Sequence, residues 1–599
     1  MKVVCLVKQV PNPAHIKLDP ETRRLVREGV PLELNEFDVF AVTEALRLRH
    51  EHGGEVVTLT MGPPQAREAL VMTLAMGADR AVHLEDKLFA VADTIGTSRT
   101  LAMAVEKEGA DLVLCGRKTV DSETWQVPPQ VAAFLGWPQL TNVEELSVDA
   151  SSVRARRQTD EGYDVYEVEL PAVSSVAEGI NEGIWPARRD LEGFTAEGRV
   201  ATWRASDLVA DAHEGDRRFG QSGSPTRVLA VKDVEPERAG AIAASAKDAA
   251  ERVLARLAEI GPRPSAPWEK PPRLGEKPGK SYDCWTVVEL LDGVPRRVSL
   301  ELLGKGRELA GKLGGRNCAV VIGECDAREL ARWGAERVVV VPIPDGYYPD
   351  THAAALKTFI SEHKPHALLI PSTALGRDYG PRVAGELELG MTGDCVDLGI
   401  DRAGRLIQYK PAYGGNIVSV IMGRTTPQLA TVRPGMFAPV EPRDGIEAEV
   451  ETLHVHAASR FTLVKHHHEL DMAAYELDSA DVVLCIGRGA GSAEAVPEIE
   501  ALASRLSAAV GASRECTDAG WLPKNRQIGL TGRAVAPRLY LAVGVRGAFE
   551  HRVGSVKAGV IVALNKNEQA PIFKNADVGI VGDWRETLPP MVEALQGRL

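Results

Sequence analysis

Two glycine turns near the C-terminus carry the residue types best suited to holding an anion. The apolar run Leu539–Val543 feeds Gly544-Val545-Arg546-Gly547 and then Ala548-Phe549-Glu550-His551. A strand that ends in glycine and opens a helix presents free backbone N–H groups to a negative group. Gly511-Ala512-Ser513-Arg514 also closes an apolar stretch, and its arginine and serine add a charge and a hydroxyl donor. An ordinary strand-to-helix turn has the same local pattern, so the chemistry depends on the elements around it.

Those elements alternate: short β-branched strands are separated by amphipathic helical stretches, as in a parallel sheet covered on both faces. Strands are read at Lys2–Val7, Glu55–Met61, Asp111–Cys115, Cys318–Ile322, Arg337–Pro342 and Ala367–Pro371, and again at Asp481–Ile486, Leu539–Val543, Val560–Leu564 and Val578–Val581. Between them Val39–His50 puts Ala41, Val42, Ala45 and Leu46 on one stripe, and Val496–Val510 does so with Val496, Ile499, Leu502, Leu506 and Val510. The class is α/β throughout.

The chain has 599 residues, and single cores stop growing at about 250–300 residues, so several domains are expected. A net charge of −13 argues against nucleic acid or an anionic membrane as partner, because both demand clustered Lys and Arg. The eight cysteines are scattered in or beside apolar runs without a C-x-x-C, so no metal or iron–sulfur site has support and reduced thiols are expected. No apolar run nears about 20 residues, and Lys2 leads directly into a strand. A cytoplasmic protein without membrane insertion is the expectation. The His466–His468 run reads as a solvated loop.

Gly261–Ser281, rich in Pro, Gly and Lys, reads as a linker, and a weaker break precedes Asp481. An internal repeat crosses the linker: Pro129 in "PQVAAFL" answers Pro381 in "PRVAGEL", and Pro171 in "LPAVSSV" answers Pro427 in "TPQLATV", at nearly constant offset. The expected organisation is a pseudo-two-fold pair, residues 1–260 and 282–465, joined by linker 261–281 and followed by a third domain, 470–599.

The C-terminal motifs "GRG", "GASR", "DAG", "QIGLTG", "VAPRLYLAVG", "GAFEH", "APIF" and "ADVGIV" stand in the order found in the flavin-binding domain of the electron transfer flavoprotein α subunit. "LVKQVP", "MGPPQA", "MGADRAVHL" and "ADTIGTS" are similar to the β subunit, and "RDYGPRVA" with "KPAYGGN" to the α subunit's N-terminal domain. The chain resembles a β–α fusion of that family. The resemblance implies three Rossmann-like, doubly wound domains, the third binding FAD.

Carried over by motif, Arg488 lies near the flavin's phosphate or ribityl region, and Ser513 and Arg514 contact the flavin. So do Gln527, Ile528, Gly529, Leu530 and Thr531, with Thr531 near flavin N5, and the turn formed by Arg546, Gly547, Ala548, Phe549, Glu550 and His551. Asn565 and Asp583 match adenosine-side contacts. Reduced flavin carries negative charge at N1/O2, which a placed cation or donor stabilises, and Arg514 and His551 are the residues for that work. The chain departs from the family at Arg546 for serine, Glu550 for glutamine and Leu530 for glutamine.

The β-like half carries a second nucleotide site in this family, holding AMP or, in electron-bifurcating members, a second FAD. The matching positions are Leu6, Asn35, Phe37, Asp38, Met61, Asp121, Thr124, Gln126 and Val127, with Trp125 and Pro128 departing from the pattern. Thr124 and Gln126 are expected to reach phosphate oxygens, and a second FAD is slightly favoured over AMP. The implied function is electron carriage through FAD from a flavoprotein dehydrogenase to a quinone oxidoreductase or similar redox protein, without substrate conversion by the chain itself. An NADH-oxidising bifurcating flavoprotein with two FADs and a nucleotide-binding module without redox role are the alternatives. In the family a β-subunit loop docks the dehydrogenase; here it reads "INEGIWPARRDLEGFTAEGR", with Arg188 near the anchor position and Asp190, Glu192 and Glu197 where lysines are common.

Overall fold

A computed structural model describes the chain except residues 13–16, 19–24, 27–29, 193, 234–237, 239, 263–264, 275–281, 344–345, 414–416, 469–471 and 530–531. In the first body the strands are β1 (Lys2–Leu6), β2 (Glu55–Met61), β3 (Arg80–Leu84), β4 (Leu112–Gly116), β5 (Gln139–Val148), β6 (Ser152–Gln158), β7 (Gly162–Glu169), β8 (Ala172–Val176) and β9 (Val200–Trp203). Helices α1 (Glu36–His52) and α2 (Val127–Leu135) follow β1 and β4. The spatial order is β9-β3-β2-β1-β4-β8-β5-β6-β7, parallel through β5 and antiparallel in the hairpins beyond. Strand order reverses between β1 and β4, the position at which open α/β sheets bind ligands.

Two segments then leave this body: β10 (Thr226–Asp233), and β11 (Ala241–Ile242) with helix α3 (Ala246–Ile260). The second body repeats the plan. Its strands are β12 (Cys284–Val288), β13 (Asn317–Ile322), β14 (Arg337–Val341), β15 (Ala367–Pro371), β16 (Met391–Cys395), β17 (Asp397–Ile400), β18 (Leu406–Ala412), β19 (Ile417–Gly423), β20 (Gln428–Val432) and β21 (Glu449–Thr452). The order β16-β20-β15-β12-β13-β14-β21 matches the first sheet strand for strand, and helix α4 (Gly376–Glu386) packs on α2 across the pseudo-two-fold. The halves exchange edges. Strand β10, from the first half of the chain, completes the second body's hairpins on β19, and β22 (Thr462–His468), following the second half, completes the first body's on β7.

The third body holds β23 (Val482–Ile486), α5 (Ala495–Ser504), β24 (Ala509–Ala512), β25 (Leu539–Val543), β26 (Val560–Asn565), β27 (Val578–Val581) and α6 (Trp584–Leu595). Its parallel order is β11-β27-β26-β25-β23-β24. Taken from β23, this is the 2-1-3-4-5 arrangement of flavodoxin-like sheets, with the switch between β23 and β25.

Four sequence expectations change. Residues 241–260, expected in the first domain, belong to the third. Helix α3, capped by Ser245, buries Ala249, Ala250, Val253 and Leu257 in that core, and the two larger side chains contribute about 2 kcal/mol each. Val510 is not on the α5 stripe: the helix ends at Ser504, Ser507 takes a left-handed φ of 52°, and Val510 pairs with Leu484 as strand. His466–His468 is the end of β22 rather than a loop, with His466 Nδ1 2.7 Å from Asp164 Oδ1. No group of three metal-ligating side chains able to hold a metal occurs among the described residues. The described part of the 261–281 linker is pinned to the second body: Trp268 Nε1 donates to the Glu441 carbonyl and Lys270 pairs with Glu336, both at 2.7 Å.

Candidate functional site

The carboxyl ends of β23, β24, β25, β26 and β27 share one edge of the third sheet, so the loops carrying Arg488, Ser513, Arg514, Arg546 to His551, Asn565 and Asp583 converge there. At the switch point Gly487 and Gly544 touch. A Cβ on Gly487 would stand 2.4 Å from the Gly544 carbonyl oxygen, and one on Gly544, at φ +66°, 2.4 Å from the Ala490 nitrogen. Only glycine lets the two loops approach so closely. Beyond them the surroundings open, since a Cβ on Gly491 would meet nothing within 4 Å. The Val545, Arg546 and Gly547 N–H groups donate to no backbone carbonyl among the described residues. Three consecutive donors without a backbone acceptor are what an anion-binding nest needs.

Side chains complete this cleft. Asn565 Nδ2 donates to the Val545 carbonyl at 2.9 Å and so fixes the nest to β26. Asp583 caps α6 through the Arg585 N–H and pairs with Lys566 at 2.8 Å, which together with the cap holds its carboxyl below the usual range. The Arg488 guanidinium lies 4.9 Å from the centre of the Trp521 ring, and nothing in the sequence marked Trp521 for this contact. Buried Gln527 accepts from Thr517 Oγ1 at 2.9 Å. Gly529 and Arg514 line a cavity between the bodies, Arg514 half-exposed and paired with Asp518 at 3.2 Å. Arg546, Ala548 and Glu550 are exposed, whereas His551 is buried and held down to about 4 by that burial, the Ile528 carbonyl opposing it. His551 Nδ1 has no hydrogen bond and no solvent contact. Leu530, Thr531 and the Phe549 side chain lie outside the described residues.

A cavity of about 730 Å³ lies where all three bodies meet. Arg117 and Glu178 come from the first, Arg377 and Arg433 from the second, and Arg514 and Lys524 from the third. An apolar contact of Val553 with Val10, Phe37 and Val120 seats the third body on the first.

The switch point of the first body is built differently. Asp38 accepts from the Lys8 and Gly116 N–H groups at 2.8 and 3.1 Å, and burial pushes its carboxyl up to about 7. Asn35 accepts from the Val120 N–H at 3.2 Å and donates to the Lys118 carbonyl at 3.0 Å. Lys8 Nζ pairs with Asp121 at 2.6 Å. The structure thus gathers Asn35, Asp38 and Asp121 around Lys8, a residue of the quoted "LVKQVP" that the motif reading passed over. Leu6 and Phe37 are core residues, and Met61, Thr124 and Val127 are half-buried. Gln126, expected to reach phosphate, instead packs against the other half: with its amide turned so that the oxygen meets a donor, it accepts from the Gly393 N–H at 2.9 Å and its nitrogen reaches the Met391 carbonyl at 3.3 Å. Trp125, at φ 61°, has Arg117, Lys118 and Arg377 at 4.9, 5.4 and 4.5 Å from its ring centre. Arg377 arrives from the second half, so sequence adjacency gave no sign of this cage.

The electron transfer flavoprotein domain model matches residues 22–208 and 284–458, and the electron transfer flavoprotein FAD-binding domain model matches 476–556. The electron transfer flavoprotein subunit alpha of Thermoanaerobacterium thermosaccharolyticum is 38% identical over 323 residues, covering 52% of this chain and 98% of that protein. Subunit beta of the same organism is 38% identical over 258 residues, covering 43% of this chain and 98% of that protein. The acryloyl-CoA reductase electron transfer subunit beta of Anaerotignum propionicum is 33% identical over 356 residues, covering 52% and 95%. The Val545, Arg546 and Gly547 N–H groups without a backbone acceptor and the open space beside Gly491 fit FAD in the third body. No helix among the described residues is long and apolar enough to cross a membrane. The chain belongs to the electron transfer flavoprotein family and joins a β-like N-terminal part to an α-like C-terminal part that carries the FAD-binding domain.

Proposed function

We propose that the chain carries electrons through one FAD in the C-terminal cleft, from a flavoprotein dehydrogenase to a quinone oxidoreductase or similar redox protein. The observation that carries this reading is the close Gly487–Gly544 contact at the switch point of the third sheet, beside the Val545, Arg546 and Gly547 N–H groups left without a backbone acceptor. Bound FAD supplies the electron-accepting chemistry. The nest and the Gly487–Gly544 contact bind and orient the phosphate end, Asn565 and Asp583 lie on the adenosine side, and Arg514 and His551 supply a cation and a donor where negative charge accumulates. The first-body switch point takes a second nucleotide. The expectation of a second FAD is revised here to AMP, because the Trp125 ring, held among Arg117, Lys118 and Arg377, adds bulk on the cavity side and suits the smaller nucleotide. A two-flavin bifurcating protein oxidising NADH is the second reading, motivated by the Asp121-x-x-Thr124-x-Gln126 skeleton.

For the donor, Ile184 and Trp185 stand 55% and 52% exposed on the loop after β8. The loop is anchored by Thr43 Oγ1, which accepts from the Ile184 N–H at 2.9 Å. Two large apolar side chains in a charged loop fit a dehydrogenase anchor, and the acidic flank selects a partner of opposite charge. The relative named as an electron transfer subunit of an acryloyl-CoA reductase points to acyl-CoA oxidoreductases as a class of redox partner. Trp185→Ala should raise KM for a productive dehydrogenase by the equivalent of about 2 kcal/mol while bound FAD stays constant. Rapid reduction of parent and variant alike would remove the loop from the account, and failure of any flavoprotein dehydrogenase to reduce the parent would remove the carrier function.

A further inference from the structure

We infer that Trp521 is a positioning residue for Arg488: its indole holds the guanidinium at the switch point of the third sheet as a cation whose donors are unspent, for the phosphate end of FAD to take. The inference rests on FAD occupying the C-terminal cleft. Arg488 directly follows Gly487, whose contact with Gly544 joins the loops after β23 and β25. The backbone around it is fixed. The Gly487 N–H donates to the Val543 carbonyl at 2.8 Å, the Gly489 N–H to the Gly544 carbonyl at 2.9 Å, and Trp584 Nε1 to the Ala490 carbonyl at 3.1 Å. The Arg488 side chain, by contrast, is exposed and makes no hydrogen bond or ion pair among the described residues. What it meets is the Trp521 ring, whose centre lies 4.9 Å from the guanidinium carbon.

The indole is itself held in place. Gly520, at φ 71°, turns the chain back after the one-turn helix Arg514–Asp518, the Trp521 N–H donates to the Cys516 carbonyl at 2.9 Å, and the half-buried ring packs against the core of the third body. An anchored ring narrows the rotamers of a long, exposed arginine that would otherwise range through solvent. The kind of partner decides what the arginine can still do. Arg514 and Lys524 share Asp518, and Lys566 pairs with Asp583 at 2.8 Å, so a carboxylate already offsets each of those cations. An aromatic face attracts a guanidinium through its quadrupole and leaves both the charge and the N–H donors uncancelled. Arg488 thus sets a full charge and a planar fork of donors beside the Gly487–Gly544 contact, and a phosphoanion is the class of group that such a fork receives. Trp521 acts through Arg488 and needs no contact with the ligand.

The test is a double-mutant cycle on the full chain, stripped of flavin and titrated with FAD: the parent, Trp521→Leu, Arg488→Met and the two combined, with Trp521→Phe as the conservative variant. Trp521→Leu should weaken FAD binding by about 2- to 30-fold, the range for a cation–π contact. Trp521→Phe should restore most of that loss. On the Arg488→Met background Trp521→Leu should change nothing further, because no guanidinium is left to place. An equal loss from Trp521→Leu on both backgrounds means that the indole only fills the core, and it overturns the inference. So does a Trp521→Phe variant that binds no better than Trp521→Leu, or an Arg488→Met variant that binds FAD as the parent does. A parent that takes up no FAD overturns the functional reading instead. Should Trp521→Leu not fold, Trp521→Met, which fills the space but offers no ring, takes its place in the cycle with the same expected and overturning outcomes.

Discussion

The first and third bodies both end a parallel sheet at a switch point, yet they use its backbone in opposite ways. In the third body the loops after β23 and β25 meet through glycines and leave the Val545, Arg546 and Gly547 N–H groups free. In the first body the Asp38 carboxyl takes the N–H groups of Lys8 and Gly116, and Asn35 takes that of Val120. The second body places a buried carboxylate at the same switch-point position but satisfies it with side-chain hydroxyls. Glu289, just after β12, accepts from Thr373 Oγ1 at 2.9 and 2.8 Å and from the Tyr379 hydroxyl at 3.1 Å, and burial pushes it up to about 7, as it does Asp38. A strand order alone therefore does not make a phosphate site. What decides is whether the donors at the switch remain unspent, because an anion gains most where backbone N–H groups have no other acceptor.

The largest effect should come from Gly544→Val. The added side chain meets the Ala490 nitrogen and must adopt a left-handed φ, so we expect loss of about 2–3 kcal/mol of local stability and of tightly held FAD, read by thermal unfolding and flavin absorbance. Retention of full flavin would break the contrast between the clefts. Arg514→Ala should leave FAD bound but lower its reduction potential, by the equivalent of about 1.5–3 kcal/mol, the range for a hydrogen bond to a charged group; reductive titration checks this, and overlaid curves refute it. The smallest effect belongs to the carboxyls. Asp38 and Glu289 hold protons to about pH 7 in the folded protein, whereas the unfolded chain releases them near about pH 4. Their contribution is thus complete below about pH 4 and is lost as pH rises through about 7. Asp38→Asn should flatten this decline by on the order of 1 kcal/mol between pH 5 and 8, measured by denaturant midpoints. An unchanged slope would mean that Asp38 is not the group responsible.

Much of this contrast was legible in the sequence, because it depends on local residue order. Leu539–Val543 and Val578–Val581 are strands at the residues read. The Pro129 and Pro381 repeat marks α2 and α4, which meet across the pseudo-two-fold. What escaped was placement across long separations. Helix α3 has an ordinary amphipathic stripe, and nothing in that stripe says which core it enters. The exchanged strands β10 and β22 have partners roughly 190 and 300 residues away, a pairing no local pattern specifies. Gln126 carries a motif-like identity but spends its amide on the second half. The partner of His551 was missed for another reason: Tyr540 sits in the quoted motif, but an inward-facing strand tyrosine reads as core until its hydroxyl is seen 2.9 Å from the imidazole.

The central claim is that FAD is held by the unspent backbone of the third switch point. Acid extraction and chromatographic counting of FAD and AMP per chain, on the purified parent and on Gly544→Val, test it most directly. The account predicts one FAD and one AMP in the parent, and loss of FAD with AMP retained in the variant, the retained AMP also reporting that the paired bodies still fold. An undiminished FAD content in Gly544→Val would contradict it.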